Sequence, residues 1–138
     1  MSENPQLWAN RPTILCIDDD RLVLGICTTV LEEHGYRAVM ATHGRAGIAI
    51  AKSERPALIL LDILMPRMDG FEVCKLLRAE PALRHTPIVL FTASDSPDLE
   101  AKGADAGATL SVRKPFKPKQ IIQTIDRLLG RKREAETP

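Results

Sequence analysis

The chain has 138 residues, 44% of them hydrophobic, and a formal net charge of +1, which suits a single globular domain. So small a net charge argues against recruitment of nucleic acid or of an anionic membrane surface. No apolar run approaches the ~20 residues needed to cross a bilayer, and residues 1–11 lack the apolar segment of a signal peptide.

Three cysteines, Cys16, Cys27 and Cys74, stand far apart and form no CxxC pair, so a zinc or dithiol redox site is not expected. Each lies in an apolar context, which predicts small core residues. Free thiols suit a reducing compartment and therefore a cytoplasmic protein. We expect a flexible leader at 1–11, a folded domain at 12–130 and a charged tail at 131–138.

Short apolar runs predict five buried strands. They lie at residues 13–17, 37–41, 58–61, 87–91 and 109–112. Apolar residues at helical spacing predict a helix after each strand. These helices lie at residues 22–31, 44–54, 71–79, 97–106 and 118–129. Gly35 follows the first helix and Pro56 the second, as expected near helix ends.

The inward faces of two helices are predicted residue by residue. The second helix is expected to bury Ala46, Ala49 and Ile50. The third is expected to bury Phe71, Val73, Cys74, Leu76 and Leu77. In the fourth helix Ser96 is a suitable cap and Pro97 suits the first turn, while Gly103 weakens the helix.

Strands that alternate regularly with helices predict an α/β fold. The expected architecture is a doubly wound, five-stranded parallel sheet with right-handed crossovers and helices on both faces. No internal repeat or linker interrupts the pattern, so a single domain is expected.

Polar side chains follow four of the five predicted strands. They are Asp18, Asp19, Asp20, Asp62, Thr92 and Lys114. In open α/β sheets ligands bind at the carboxyl ends of the strands, so these side chains should converge on one edge. Crowded carboxylates repel each other, and a hard divalent cation such as Mg²⁺ relieves that repulsion. A carboxylate nucleophile, a metal, an ammonium and a hydroxyl are the groups needed to accept a phosphoryl group.

Over residues 12–130 the chain resembles a receiver domain of a two-component response regulator (CheY-like). The matching motifs are Ile17-Asp18-Asp19, Leu61-Asp62-Ile63-Leu64-Met65-Pro66, Met68-Asp69-Gly70, Phe91-Thr92-Ala93, Gly107-Ala108 and Lys114-Pro115-Phe116. Each motif is weak alone, but their order and spacing are highly specific.

The resemblance implies that Asp62 accepts a phosphoryl group from a histidine kinase or histidine phosphotransfer protein. It implies Mg²⁺ held by Asp18 through water, by Asp19 and Asp62 directly, and by the backbone carbonyl of Leu64. Lys114 and Thr92 would hold the phosphoryl oxygens, which completes a set of three catalytic residues with Asp62.

The family pattern also assigns roles outside the phosphoryl contacts. The Lys114–Pro115 bond would be cis, and a downstream protein would bind the surface at about 95–129. Slow autodephosphorylation would be tuned by Leu64 and Ser94. Since Leu64 has no polar side chain to orient water, a long-lived phosphoryl group is expected. Such a domain catalyses only its own phosphorylation and dephosphorylation.

Two further aspartates have simpler explanations. Asp20 reads as an acid at a helix start, and Asp69 as a turn residue with Gly70. The assignment of the metal pair as Asp18 and Asp19, rather than Asp19 and Asp20, rests on the family pattern.

The sequence departs from that pattern at Ser111. The family usually has an aromatic residue or histidine three positions before the lysine, and this residue takes part in output. No DNA-binding motif follows residue 130, so a stand-alone receiver, or one cut from a longer protein, is expected.

Three alternatives compete with a phosphorylated receiver. A haloacid-dehalogenase-like phosphatase would need an acidic pair after Lys114, and it leaves Asp62 without a role. A flavodoxin-like FMN-binding protein would need a phosphate loop where three aspartates stand. A receiver-like docking module that is never phosphorylated remains open because of Ser111.

Overall fold

The computed structural model describes residues 11–65, 69–93 and 97–131. Five strands are β1 (Thr13–Ile17), β2 (Arg37–Ala41), β3 (Leu58–Asp62), β4 (Ile88–Thr92) and β5 (Leu110–Arg113). Five helices are α1 (Arg21–Glu33), α2 (Gly44–Glu54), α3 (Gly70–Ala79), α4 (Pro97–Asp105) and α5 (Pro118–Leu128). A short 3₁₀ helix, Pro81–Leu83, follows α3.

The strands form one parallel sheet in the order β2-β1-β3-β4-β5. The doubly wound α/β architecture expected from the sequence is therefore confirmed. β3 and β4 occupy the interior of the sheet, and every residue in both is buried. Strands covered on both faces consist of continuous apolar residues. For this reason β3 and β4 were readily predicted from the sequence.

Two hydrophobic clusters lie on opposite faces of the sheet. Leu61 and Leu90 belong to the cluster that α2, α3 and α4 cover. Leu60 and Phe91 belong to the cluster that α1 and α5 cover. Because side chains alternate along a strand, the last residues of β3 and β4, Asp62 and Thr92, point to different faces.

Two of the predicted inward-facing residues are wrong. Ala49 is exposed, because α2 instead turns Gly44, Gly47 and Ala51 toward the core. Leu76 is 45% exposed, because Val73, Cys74 and Leu77 form the buried stripe of α3. A Cβ on Gly47 would lie 2.4 Å from Ile17 Cδ1, so α2 packs against β1 at a distance that only glycine allows.

The sequence also predicted one cis peptide bond and the boundaries of the strands. The Lys114–Pro115 bond is cis, as the resemblance implied. β4 and β5 each begin and end one residue later than predicted, and β3 extends one residue further, to Asp62. Several predictions fall on residues outside the described ones. These are the leader to residue 10, Pro66 and Met68 of the family motifs, Ser94, the Ser96 cap and the tail from residue 132.

The three cysteines are free thiols. Cys16 and Cys74 are buried and Cys27 is half-buried, and burial raises the pKa of each thiol. They act as core residues, as the sequence indicated. Among the described helices, none combines the length and the apolar character that a membrane crossing requires.

Candidate functional site

Three carboxylates meet at the carboxyl ends of β1 and β3. Asp18 and Asp62 are 5% and 4% exposed, and Asp19 is exposed beside them. One oxygen from each of these side chains lies within 4.8 Å of the others. The sequence predicted this convergence, and the parallel pairing of β1 with β3 produces it.

Local hydrogen bonds orient two of the three carboxylates. Asp62 Oδ1 accepts from the backbone N–H of Leu64 at 3.0 Å, and Asp18 Oδ1 accepts from the backbone N–H of Asp20 at 2.9 Å. The second oxygen of Asp62, Oδ2, faces Lys114. Such turns fix an acid at a strand end without a long-range partner.

Lys114 supplies the positive charge. Its Nζ lies 3.3 Å from Asp62 Oδ2, and β4 is the one strand between β3 and β5. The Lys114 backbone N–H donates to the carbonyl of Thr92 at 2.6 Å. Phe116 stacks on Phe91 with ring centroids 4.6 Å apart. The segment that carries Lys114 is therefore held to the end of β4 by both backbone and side-chain contacts.

Thr92 ends β4 and is 4% exposed. The backbone N–H of Ile63 donates to the carbonyl of Phe91 at 3.2 Å, so the residue after Asp62 is tied to the residue before Thr92. Thr92 thus lies at the same end of the sheet as the acids, where the strands have their carboxyl ends. Its side chain is on the face of the sheet that α4 covers.

Burial and neighbouring charge disfavour the ionised form of Asp18. The pKa of Asp18 is raised to about 6, first by burial and then by the negative charge of Asp62, although the N–H of Asp20 and the charge of Lys114 oppose the rise. Carboxylates that repel each other in a half-dry site are relieved by a divalent cation. The oxygen-only donor set of Asp18, Asp19 and Asp62 therefore fits Mg²⁺, a hard ion that keeps several of its waters.

The other two aspartates cap helices. Asp20 is the N-cap of α1, and its Oδ1 accepts from the N–H groups of Leu22 and Val23 at 2.9 and 3.4 Å. This confirms the helix-start interpretation of Asp20. Asp69 is the N-cap of α3 and accepts from the N–H of Phe71 at 2.9 Å. Its role is local, as expected, but it begins a helix rather than serving only a turn.

Sequence reasoning missed the role of Gly70. A Cβ there would lie 2.3 Å from Ile63 Cα and 3.0 Å from the carbonyl oxygen of Asp62. The first residue of α3 therefore touches the backbone that carries the central acid. The Asp69-Gly70 pair was the available sequence signal. Because an Asp-Gly pair is already explained by a turn, the close approach of Gly70 to the backbone of Asp62 and Ile63 was not predicted.

Comparisons with known proteins agree with this geometry. Residues 14–126 match the family model described as the response regulator receiver domain. The chain is 34% identical over 118 residues to the alkaline phosphatase synthesis transcriptional regulatory protein PhoP of Bacillus subtilis. That match covers 86% of this chain and 48% of PhoP, and the chain spans about half the length of the curated relatives it matches.

Two solved structures show the same fold. The chemotaxis protein CheY4 of Vibrio cholerae superposes with a TM-score of 0.82 at 32% identity, over 86% of this chain and 98% of that one. The receiver domain of the sensor histidine kinase PA1611 of Pseudomonas aeruginosa gives a TM-score of 0.80 at 26% identity. This match covers 87% of this chain and 98% of the PA1611 chain. The PA1611 structure holds a magnesium ion in its active-site cleft.

Proposed function

The chain belongs to the response regulator receiver domain family, and we propose that Asp62 is its phosphoacceptor. Receiver domains of two-component systems obtain phosphoryl groups from histidine kinases. The family is a signalling domain rather than an enzyme with turnover on a separate substrate. In this chain the donor would be the phosphohistidine of a kinase or of a histidine phosphotransfer protein.

The proposed transfer forms one bond and breaks one. A carboxylate oxygen of Asp62 forms the new P–O bond while the P–N bond of the phosphohistidine breaks. The imidazole nitrogen leaves with the electron pair and is protonated from solvent. Phosphoryl transfer depends mainly on position and on neutralisation of charge, so the fixed orientation of Asp62 by the N–H of Leu64 is the first requirement.

Mg²⁺ would be held by Asp18, Asp19 and Asp62, with Asp18 acting through a water and Leu64 offering its backbone carbonyl. The ion supplies neutralisation of the carboxylates and of the incoming phosphoryl oxygens when it is bound. The proximity of the three carboxylates supports this proposal. So does the magnesium ion in the cleft of the PA1611 receiver domain.

Lys114 and Thr92 would hold the transferred group. The Lys114 ammonium pairs with Asp62 Oδ2 and would move to a phosphoryl oxygen as the charge of Asp62 is transferred outward. The Thr92 hydroxyl would donate to another phosphoryl oxygen. Charge-assisted hydrogen bonds of this kind are the strong ones, and they would be available only in the phosphorylated state.

Phosphorylation would shift the population between two conformations. The surface at about 95–129 would then change its affinity for a downstream partner. PhoP is by its name a transcriptional regulator, and the chain matches about half of it, so that partner is either a further domain or a separate protein. The free thiols support a cytoplasmic location.

The single observation that carries the proposal is the Asp62–Lys114 pair beside Asp18 and Asp19. The test is incubation with a small phosphodonor and Mg²⁺, read by intact mass, for the wild type, Asp62→Ala and Asp62→Asn. We expect one phosphoryl group on the wild type and none on either variant or in EDTA.

A folded, Mg²⁺-binding wild type that takes up no phosphoryl group would overturn the proposal. It would favour the docking module that Ser111 keeps open. Asp69→Asn is a matched control, since Asp69 is an exposed aspartate that only caps α3. This variant should label like the wild type.

A further inference from the structure

Helix α3 begins directly against the backbone that carries the candidate acceptor. We call residues 62–64 the acceptor segment. A Cβ on Gly70, the first residue of α3, would lie 2.3 Å from Ile63 Cα, 2.9 Å from Ile63 Cβ and 3.0 Å from the carbonyl oxygen of Asp62. Two of these atoms are backbone and the third is bonded to it, so no side-chain rotation relieves the contact. Gly70 does not have a positive φ, so the lack of space, and not the backbone angle, requires glycine here.

The acceptor segment is held on its other side by β4. The backbone N–H of Ile63 donates to the carbonyl of Phe91 at 3.2 Å, and the Ile63 side chain is buried in the hydrophobic core. From the side of α3, the Gly70 N–H donates to the carbonyl of Ile63 at 3.4 Å. The acceptor segment therefore lies between β4 and the first residue of α3, and it cannot move away from the helix without disturbing its contacts with β4.

Helix α3 is fixed as well. Asp69 Oδ1 caps its first turn by accepting from the N–H of Phe71 at 2.9 Å. The inner face of the helix is completely buried through Val73, Cys74 and Leu77. Carbon atoms in contact normally lie about 3.5 to 4.0 Å apart, so a methyl group at residue 70 would force the helix and the acceptor segment apart by about 1 Å.

A displacement of that size matters at this site. The carboxylate of Asp62 and the carbonyl of Leu64, two of the proposed Mg²⁺ ligands, belong to the acceptor segment, whereas Asp18 and Asp19 follow β1. The three carboxylates meet only while the acceptor segment keeps its place beside β1. Mg²⁺ demands a nearly ideal octahedral geometry, and a misplacement of about 1 Å can lower a rate by about 10²-fold.

We infer that the start of α3 sets the position of the acceptor segment, and that the missing side chain of Gly70 allows the acceptor carboxylate to meet the metal ligands that follow β1. This inference rests on the proposed function. Gly70 is a positioning residue, since it acts through the backbone of Asp62 and Ile63. Because coupling between two sites is reciprocal, Mg²⁺ bound at the acceptor segment must in turn stabilise the first turn of α3.

The first test compares the wild type with Gly70→Ala at a temperature at which circular dichroism shows the variant to be folded. Calorimetric titration with MgCl₂ should give a Kd about 10- to 100-fold higher for the variant, as for the loss of a group that orients a metal ligand. The initial rate of labelling by phosphoramidate at saturating Mg²⁺, read by intact mass, should be about 10²-fold lower.

Gly107→Ala is the control that separates positioning from loss of stability. Gly107 precedes β5, at the end of the sheet opposite the acids, and has a φ of +97°. Its Cβ would lie 2.9 Å from Arg78 Cγ, so alanine strains the fold here too. Both variants should unfold at a lower urea concentration than the wild type. Only Gly70→Ala should lose Mg²⁺ affinity and labelling rate.

Hydrogen exchange in the wild type tests the inference without a substitution, and it decides if Gly70→Ala does not fold. The Val73 amide closes the first turn of α3 on the carbonyl of Asp69 at 3.0 Å, so its exchange measures local opening of that turn. Saturating Mg²⁺ should slow this exchange by about fivefold or more, the lower end of ordinary coupling factors. The Gly47 amide closes the first turn of α2 on the carbonyl of His43 and should not respond.

Each outcome decides the inference. If Gly70→Ala folds, binds Mg²⁺ and labels like the wild type, the inference fails and the proposed function stands. The same conclusion follows if the wild type binds Mg²⁺ without slower exchange at Val73, or if Gly107→Ala loses as much Mg²⁺ affinity as Gly70→Ala. If the wild type neither binds Mg²⁺ nor accepts a phosphoryl group, both the proposed function and the inference fail.

Discussion

Lys114 Nζ lies 3.3 Å from Asp62 Oδ2, and this pair joins the third and fifth strands across the strand that ends at Thr92. Asp62 is buried and Lys114 half-buried, so the pair is only partly screened by solvent. The ammonium places a positive charge on the carboxylate at the centre of the acidic cluster. The predicted chemistry of the site depends on it.

Replacing this ammonium should slow phosphorylation. We expect Lys114→Ala to reduce the rate of labelling on the order of 10²-fold, as for the loss of one preorganised donor to developing charge. Initial rates of phosphoryl uptake by intact mass measure the effect. Lys119→Ala, at an exposed lysine of α5, is the control and should retain the wild-type rate. Equal rates for the two variants would remove Lys114 from the mechanism.

Removing one charge from the acidic cluster should stabilise the metal-free protein. The pKa of Asp18 is raised from 3.8 to about 6, so the folded state binds this proton more tightly than the unfolded chain. Stability from this group is full below about pH 4 and is lost as the pH rises through 6. Because the amide of Asp18→Asn does not ionise, this variant avoids the loss of stability at high pH. Its Tm in EDTA should be a few degrees higher than that of the wild type at pH 7.

The same variant should lose its response to metal. Mg²⁺ that binds only the folded state stabilises it, and the stabilisation grows with the logarithm of the ion's concentration relative to its Kd. Thermal unfolding with and without Mg²⁺ should show a clear rise in Tm for the wild type and little for Asp18→Asn. Asp20→Asn keeps an N-cap side chain on α1, and its response to Mg²⁺ should remain. A full Mg²⁺ response in Asp18→Asn would contradict the metal assignment.

A polar residue at position 64 should shorten the life of the phosphoryl group. Leu64 is 59% exposed, so an amide there can orient a water near Asp62, whereas leucine cannot. We expect Leu64→Asn to lose its phosphoryl group faster than the wild type after the donor is removed. Leu76→Asn, at another exposed leucine, is the control. An unchanged lifetime of the phosphoryl group in Leu64→Asn would contradict this prediction.

Arg78 should matter for stability but not for phosphorylation. Its guanidinium donates to the carbonyls of Gly107, Leu83, Arg84 and Thr86 at 2.8 to 3.1 Å. Lysine cannot reproduce this fork, so Arg78→Lys should cost about 2–4 kcal/mol of unfolding free energy, from several hydrogen bonds to a charged group.

Urea unfolding measures this cost, and Arg84→Lys, at an exposed arginine, is the matched control. The folded Arg78→Lys protein should still label fully with a phosphodonor. A loss of labelling at unchanged stability would mean that Arg78 serves the site directly.

The sequence predicted the strands and the convergence of acids well, because both follow from local patterns. The short apolar run before Asp62 is typical of a strand buried on two faces, and parallel pairing then brings the strand ends together. The roles of individual residues, and the cis bond at Pro115, came from the family resemblance rather than from geometry.

Features that depend on close approach between distant segments could not be predicted. Ala49 and Leu76 were predicted to be buried because helical spacing identifies an apolar stripe. It does not identify which side of that stripe packs against a neighbouring element. Gly103 looked only like a weakness in a helix, and its contact with Ser111 appears only when α4 is placed on β5. The hydrogen bond from Tyr36 to Asp126 joins residues 90 positions apart.

The most direct test of the central claim is to find which residue carries the phosphoryl group. Hydroxylamine cleaves an acyl phosphate, releases phosphate and leaves a hydroxamate on the former acceptor. The phosphorylated wild type should be treated with hydroxylamine, digested and mapped by mass spectrometry. The hydroxamate should lie on Asp62 and be absent without Mg²⁺. A hydroxamate on another carboxylate, or none from a protein that carries a phosphoryl group, would contradict the account.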